Sequence, residues 1–227
     1  MQTDLRLKKS CSILPVLIVI CLHTYAQQPL FSIATSVDIQ RSFKKEQQFW
    51  AVGHTTIANF HLAPKNGIYV WFCYYSDGIF KNQLVATAKL PSTTPQQVNY
   101  VNNAKMRFKQ FSVGWKHYLK GTADAETKWS LYGYAGLGLL LGRVINIHSV
   151  PIDTAKYDLP VRSGKANFKR LTLDIGLGYE HPIGGDFYLY TEGKAWIPTT
   201  DYPSEFIFVN AKAPVAVMLA LGIRLLF

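Results

Sequence analysis

The side chains best suited to chemistry are five histidines beyond residue 26 and one serine. The histidines are His54, His61, His117, His148 and His181. No two of them have the close spacing and flanking carboxylate that a metal site requires. His148 and Ser149 could begin a hydrolase site that acts on lipid, but one adjacent pair in an expected loop does not make a catalytic arrangement. The sequence therefore predicts no catalytic residues, no metal site and no cofactor.

Four closely spaced glycines resemble a phosphate-binding loop in composition only. Gly133, Gly136, Gly138 and Gly142 lie inside an apolar stretch that reads as a strand. A phosphate cradle needs a loop that leads into the N-terminus of a helix, and no helix pattern follows here. We therefore assign these glycines no phosphate-binding role.

The elements that must position any site are β-strands. In residues 171–180, LTLDIGLGYE, every second residue is apolar and the residues between are small or charged. Successive side chains of a strand point to opposite faces, so one face of this strand is wholly apolar. That face meets either a protein core or lipid.

Eight stretches have strand-like composition, and strong helix patterns are absent after residue 28. They cover residues 30–41, 54–63, 67–76, 105–119, 129–143, 167–181, 186–197 and 213–227. In an up-and-down meander, the short links at 64–67, 120–128 and 182–185 fall on the side of the two termini. The long polar connections near 42–53, 77–104, 144–166 and 198–212 fall on the opposite side. Short turns on one side and long loops on the other are typical of membrane-spanning barrels.

Aromatic residues collect near the strand ends on the side of the termini, and parity places them on the apolar face. They are Phe31, Tyr69, Trp115, Trp129, Tyr179, Phe187 and Phe227. A lipid bilayer collects aromatic side chains at the level where acyl chains meet headgroups. A soluble sandwich has no reason to collect them at one level, so the pattern predicts an aromatic girdle that faces lipid.

The opposite face carries charges of both signs among small residues. We expect these charges to form a polar network in the barrel lumen: Asp38, Lys116, Asp174, Glu180, Glu192, Lys194 and Arg224. The interior of an eight-stranded barrel is just wide enough for side chains to fill, so the lumen is expected to be plugged. A three-residue turn at 183–185 would place Asp174 opposite Lys194 and Gly176 opposite Glu192. Such ion pairs fix register without performing chemistry.

Two regions depart from this pattern. Tyr188, Tyr190 and Trp196 have inward parity, which predicts a bend or a shifted register in the seventh strand. The run Leu139-Leu140-Leu141 breaks the alternation of the fifth strand.

The N-terminus has the features of a secretory signal peptide. Arg6, Lys8 and Lys9 precede an apolar run at 13–22, and Thr24-Tyr25-Ala26 offers a cleavage site. The apolar run has about ten residues, whereas a membrane-spanning helix needs roughly 20. We therefore predict a signal peptide at 1–26 and one barrel domain at 27–227.

Cleavage would leave Cys73 as the only cysteine, so the mature chain would form no intrachain disulfide. The removed segment carries three basic residues and Asp4, so the net charge would fall from +10 to +8. Export argues against nucleic acid as a partner and favours anionic lipid headgroups.

The last strand alternates up to a terminal aromatic residue, in the sequence VMLALGIRLLF at 217–227. Together with the signal peptide, this pattern resembles the small outer-membrane β-barrel proteins of Gram-negative bacteria, the porin-like or OmpX/OmpA-type eight-stranded group. The resemblance implies an all-β, eight-stranded antiparallel up-and-down transmembrane barrel that is monomeric. It also implies that the barrel-assembly machinery reads the last strand through Phe227, with Leu225, Ile223 and Leu221 behind it.

Basic residues near the long connections would face the cell exterior. Those nearest the membrane could contact phosphates of lipopolysaccharide in the outer leaflet: Arg107, Lys109, Arg143, Lys169 and Arg170. The predicted function is thus a non-enzymatic outer-membrane barrel with a structural or surface-interaction role. Two alternatives are a soluble lipocalin-like barrel that binds a small apolar ligand and an outer-membrane enzyme that modifies lipid.

Overall fold

The computed structural model describes residues 31–201, 204–207 and 215–227, and the predicted signal peptide lies outside them. Within these ranges the chain forms β1 Phe31–Ser42, β2 Trp50–Ala63, β3 Asn66–Ala88, β4 Gln97–Lys120, β5 Ser130–His148, β6 Tyr157–Asp158, β7 Gly164–Gly184, β8 Phe187–Pro198 and β9 Ala216–Leu226. A single 3-10 turn covers Lys45–Gln47. In the described ranges, no helix has the length and apolar character to cross a membrane.

Eight of the strands close into an antiparallel ring. The pairings follow chain order from β1 to β5, continue through β7 and β8 to β9, and return from β9 to β1. The two-residue strand β6 pairs only with the far end of β3. The predicted eight-stranded up-and-down barrel is therefore confirmed.

The outer wall of the ring is a continuous apolar belt. Leu137 and Leu219 have 67% and 68% of their surface exposed, and Val37, Leu177 and Leu221 are similarly uncovered. Contiguous apolar surface of this extent is rare on soluble proteins because exposure to water costs about 25 cal/mol per Å². The belt fits hydrocarbon, and a soluble lipocalin-like calyx would need the opposite arrangement.

Four strands, β3, β4, β5 and β7, continue well beyond the belt on the side opposite the termini. β3 and β4 stay paired as far as Thr87 and Gln97, and β5 stays paired with β4 as far as His148. The predicted loop at 77–104 is therefore mostly strand, and only residues 89–96 connect β3 to β4. Composition alone does not identify these segments as strands. They lie in water beyond the belt, so they lack the strict apolar alternation of the belt strands.

The register of β7 and β8 differs by two residues from the prediction. Gly176 pairs with Lys194, Gly178 pairs with Glu192, and Asp174 lies opposite Trp196. The predicted three-residue turn is wrong because β7 continues through a bulge to Gly184, where positive φ at Gly184 and Gly185 allows a tighter turn. A shift of two residues keeps every side chain on its predicted face.

The belt predicts how stability responds to charge. Leu137→Arg, halfway along the belt, should lower the free energy of unfolding in lipid vesicles by about 2–4 kcal/mol, because it moves a charge into hydrocarbon. The matched control is Ile147→Arg, which replaces a similarly exposed apolar residue on the extension beyond the belt. Urea titrations of the refolded proteins should show a loss only for Leu137→Arg, and equal values for both variants would contradict the membrane assignment.

Candidate functional site

The end of the lumen nearest the termini contains an ion cluster around Glu180. Arg224 donates from Nη2 to Glu180 Oε1 at 2.9 Å and from Nε to Oε2 at 3.1 Å. Lys116 Nζ lies 3.7 Å from the same carboxylate. Arg224 also donates to the Ala123 carbonyl at 2.7 Å, which ties the link between β4 and β5 to the lumen. Breaking such a buried pair typically costs about 3–5 kcal/mol, because it leaves an uncompensated charge.

A second cluster lies deeper in the barrel around Lys194. Its Nζ atom is 3.4 Å from Asp38 Oδ2 and 3.6 Å from Glu192 Oε2. Asp38 also accepts hydrogen bonds from Ser36, Thr55 and Tyr75. This carboxylate is therefore held by β1, β2, β3 and β8 together.

The seven residues predicted for the polar network all lie inside the barrel, each at most 5% exposed. The predicted pair between Asp174 and Lys194 is wrong, because the register shift moves the two apart. Asp174 instead accepts hydrogen bonds from Gln110 Nε2 and Thr172 Oγ1, each at 2.8 Å. A neutral amide and a hydroxyl replace the expected cation.

Aromatic side chains fill much of the space between these charges. Lys116 Nζ lies 3.5 Å from the ring centre of Tyr132, and the Arg224 guanidinium lies 4.0 Å from that of Tyr188. Tyr188, Tyr190 and Trp196 point inward as their parity indicates, and the only register shift between β7 and β8 is at the turn. The predicted bend in this strand is therefore wrong, whereas the alternative, a shifted register, is confirmed, because β8 is displaced by two residues from its predicted partners in β7.

Six inward glycines lie directly across from an aromatic residue of the adjacent strand. The pairs are Gly53–Tyr75, Gly114–Tyr69, Gly142–Phe168, Gly176–Tyr134, Gly178–Tyr132 and Gly222–Tyr190. A Cβ atom at any of these glycines would come closer than 3.0 Å to the opposite ring or its hydroxyl. The glycines thus make room for aromatic rings, and the four in β5 that resemble a phosphate loop lie within a strand.

Tyr69 is a correction to the predicted aromatic girdle. It is only 2% exposed and stacks on Trp71 inside the lumen at 4.8 Å between ring centres. Both faces of this part of β3 are apolar or aromatic, so alternation does not reveal which side faces lipid. Phe60 takes its place at the girdle, 5.3 Å from Phe31.

The other six girdle residues are partly or largely exposed at the end of the barrel nearest the termini. Trp129 packs against Tyr179 at 5.7 Å, and Phe31 packs against Phe227 at 6.0 Å between ring centres. The ring of side chains matches an interfacial aromatic belt.

The external half of the lumen contains an apolar cluster beside the buried polar side chains of Gln40, Ser42 and Arg170, in contrast to the polar interior predicted throughout. Phe49, Met106, Phe108, Leu140 and Phe168 belong to one buried cluster there. A cavity of about 40 Å³ remains between them and the polar side chains of β1. That volume holds about three or four water molecules, since one water needs about 10–15 Å³ of such space.

Four of the five described histidines, His54, His61, His117 and His148, serve as hydrogen-bonding or packing groups. His61 bonds to Ser32 at 2.9 Å in the lumen, and His117 bonds to Asn66 at 2.8 Å outside. His148 packs on Tyr100, while Ser149 Oγ accepts a hydrogen bond from the Val101 amide. Among the described residues, no hydrogen bond joins His148 to Ser149, and no group of three His, Cys, Asp or Glu side chains could hold a metal.

Four of the five predicted glycolipid contacts lie together on the outer wall. Arg107, Lys109, Arg143 and Lys169 line one surface recess across β4, β5 and β7. Arg170 is a correction, because it is 4% exposed, points into the barrel and donates to the Thr200 carbonyl at 3.1 Å. Adjacent residues of a strand face opposite sides, so Lys169 and Arg170 could not both face outward.

No protein-family model matches the sequence, and no curated protein matches it. Solved structures do resemble the fold. Neisserial surface protein A is 11% identical with a TM-score of 0.51, and the match covers 87% of this chain and 97% of that one.

Two further matches are a major outer-membrane protein of Thermus thermophilus and Ail of Yersinia pestis. The first is 11% identical with a TM-score of 0.49, covering 86% of this chain and 99% of that one. The second is 11% identical with a TM-score of 0.48, covering 87% and 97%. At such identities the similarity concerns the fold alone. The fold is that of small outer-membrane β-barrels, as the sequence resemblance implies.

The pairing of glycines with aromatic rings predicts where a methyl group is tolerated. Gly178→Ala should displace the Tyr132 ring and destabilise the barrel by about 1–3 kcal/mol, because a tightly packed interior resists added volume. Gly193→Ala in β8 is the control, since its Cβ would meet nothing within 4 Å. Urea unfolding midpoints in lipid vesicles should fall only for Gly178→Ala, and an equal response at both sites would refute the packing role.

Proposed function

We propose that the protein is a non-enzymatic integral protein of the Gram-negative outer membrane with a structural or surface-interaction role. The observation that carries this proposal is the apolar belt around a charged lumen, with aromatic residues at the edge of the belt nearest the termini. An enzyme that modifies lipid would need a nucleophile aligned with a base, and His148 and Ser149 each bond or pack elsewhere.

The lumen is plugged and does not conduct like a porin. The two ion clusters, their tyrosines and the apolar cluster above them occupy successive levels of the interior. Eight strands leave just enough width for these side chains, whereas porins with about 16–18 strands leave an aqueous channel. The ion pairs hold the walls together.

The extension beyond the belt is the surface offered to an external partner. Ala86, Tyr100 and Tyr157 form a small apolar core there, joined by Leu84 and Val98. Strand β6 adds to the edge of β3 and Lys89 bonds to the Thr154 carbonyl, so this surface is built on paired strands. Rigid elements present binding groups with less ordering cost than free loops.

The proposed partners follow from the proposed location in the outer membrane. We propose contact with outer-membrane lipid and lipopolysaccharide, and with the barrel-assembly machinery through β9 and Phe227. The ring closes with strands of a single chain, which supports a monomer. No cofactor and no nucleic acid enter this proposal.

A bilayer recording tests the plugged lumen. Purified protein inserted into a planar bilayer should give no steady current of porin size, because paired charges and aromatic rings fill the interior. A general porin serves as the conducting control, and heat-modifiable migration on gels shows that the sample is folded. A steady porin-sized conductance from folded protein would contradict the proposal.

A further inference from the structure

The cavity at the external end of the lumen is lined by four buried polar side chains whose hydrogen-bonding groups are not all used. Gln40 and Ser42 come from β1, Gln47 from the 3-10 turn and Trp196 from β8, and each is at most 4% exposed. The atoms without a hydrogen-bond partner among the described residues are Gln40 Oε1, Ser42 Oγ, Gln47 Nε2 and Trp196 Nε1. Burying a polar atom unpaired is unfavourable, and folded proteins leave few such atoms. Four of them around one cavity indicate a bound molecule.

Strand pairing gathers these side chains around one space. Ser42 lies opposite Ala216, and Ala216 lies opposite Trp196, so the three form one row across β1, β9 and β8. The small side chain of Ala216 leaves room between the other two. Gln40 faces the same side of β1 as Ser42, one step deeper in the barrel. The Trp196 ring is held edge-on against Tyr75, at 5.3 Å between ring centres.

The roof of the cavity consists of two short external segments. The turn Lys45–Gln47 supplies Gln47, and Phe49 follows that turn. The segment 204–207 supplies Ile207 from the opposite side of the opening. Neither segment belongs to the ring of strands, so opening the roof to a solute from outside requires no change in strand pairing.

Water alone is a poor match for this cavity. The space of about 40 Å³ has room for about three or four water molecules. Each buried water typically makes about three hydrogen bonds, but most of the wall is apolar. The apolar part of the wall includes Phe49, Met106, Phe108, Leu140, Phe168 and Ile207. A molecule of similar bulk with polar atoms at one end and carbon atoms at the other fits both parts of the wall.

The four unpaired atoms indicate which polar groups that molecule carries. Trp196 Nε1 and Gln47 Nε2 can only donate, and the Ser42 hydroxyl can donate as well. Three donors match a carboxylate, whose oxygens have about four acceptor positions. Gln40 Oε1 can only accept, so it matches a hydroxyl group. Among the described residues that line the cavity, Arg170 is the only charged one, and its positive charge favours an anion.

We propose that this cavity binds a small hydroxycarboxylate, such as glycolate or lactate. Trp196, Gln47 and Ser42 donate to the carboxylate, and the hydroxyl of the ligand donates to Gln40. The carbon atoms pack on the apolar wall. This inference goes beyond the proposed structural or surface-interaction role, because it gives the external end of the lumen a small solute as its ligand.

Glycolate titration of the nitrogen-15-labelled mature protein in phosphatidylcholine nanodiscs tests the site. The Trp196 indole and Ala216 amide resonances should shift and saturate, with a dissociation constant on the order of 1 mM for so small a ligand. Acetate should bind about tenfold more weakly, because it leaves Gln40 unpaired. Glycolamide should also bind about tenfold more weakly, because its hydrogen bonds are no longer assisted by a negative charge.

Two matched pairs of variants locate the binding, with the Ala216 amide as the reporter. Gln47→Met should weaken glycolate binding about tenfold, because it removes a donor at similar side-chain size. Gln48→Met changes the exposed neighbour and should leave the affinity within about twofold of the wild type. Trp196→Phe should lose about tenfold as well. Its control is Trp71→Phe, because the Trp71 indole already donates to Gln110 deeper in the lumen, at 3.3 Å.

Each opposite result overturns the site. Shifts that are absent or do not saturate in folded protein would mean that the cavity holds water only. Equal binding of acetate, glycolamide and glycolate would contradict the hydroxycarboxylate, and equal losses within the matched pairs would place binding elsewhere. The Gln47 and Gln48 variants decide the matter if Trp196→Phe does not fold, because the turn lies outside the ring. Protein that inserts with heat-modifiable migration but does not bind glycolate refutes only this inference, whereas failure to insert refutes the proposed function.

Discussion

Backbone hydrogen bonding in hydrocarbon is the constraint on which the rest of the structure depends. No water is present at that depth to satisfy a free amide or carbonyl, so a sheet can cross only if it closes on itself. The pairing of β9 with β1 provides that closure, with Ser32 opposite Leu226 at one end and Ser42 opposite Ala216 at the other. Once the ring is closed, strand alternation assigns every side chain to lipid or to the lumen.

Closure at eight strands then decides what the lumen can contain. Long charged residues such as Arg224 and Lys194 enter only with a carboxylate partner, because an unpaired buried charge is costly. Five of the lumen tyrosine rings lie opposite a glycine of the neighbouring strand, as Tyr134 does opposite Gly176. The interior is therefore a set of matched pairs, and the same pairs hold the register of the strands.

Alternation explains why so much of the fold could be predicted from the sequence. It is strict in the outer rows of β7 and β9, so the strands, their facing and the charged network follow from it. It gives no direction in β3, where Tyr69 and its neighbours are apolar or aromatic on both faces, and the girdle position there is wrong. The external ends of β3 and β4 escape it because their outer face stands in water, while the opposite face packs on the small core of Ala86, Tyr100 and Tyr157. These ends form strands because β3 and β4 pair with each other, and the composition of either segment alone does not show that pairing.

The remaining differences come from the geometry of one turn and from contacts distant in sequence. The two-residue shift between β7 and β8 depends on a bulge and on glycines at the turn, which composition alone does not distinguish from a three-residue loop. The basic recess could be anticipated residue by residue, but its shape depends on the register of three strands. Arg170 shows that charge alone does not tell which face a residue occupies. It points into the barrel, whereas its neighbour Lys169 has the same charge on the outer face.

Accessibility of spin labels tests the facing of the strands most directly. In a Cys73→Ala background, single labels at Leu173, Leu177 and Leu221 in lipid vesicles should be relaxed by oxygen, which concentrates in hydrocarbon, and not by a water-soluble nickel chelate. A label at Lys81 on the extension should show the reverse. Nickel access at the three leucine positions equal to that at Lys81 would contradict the assignment of this face to lipid.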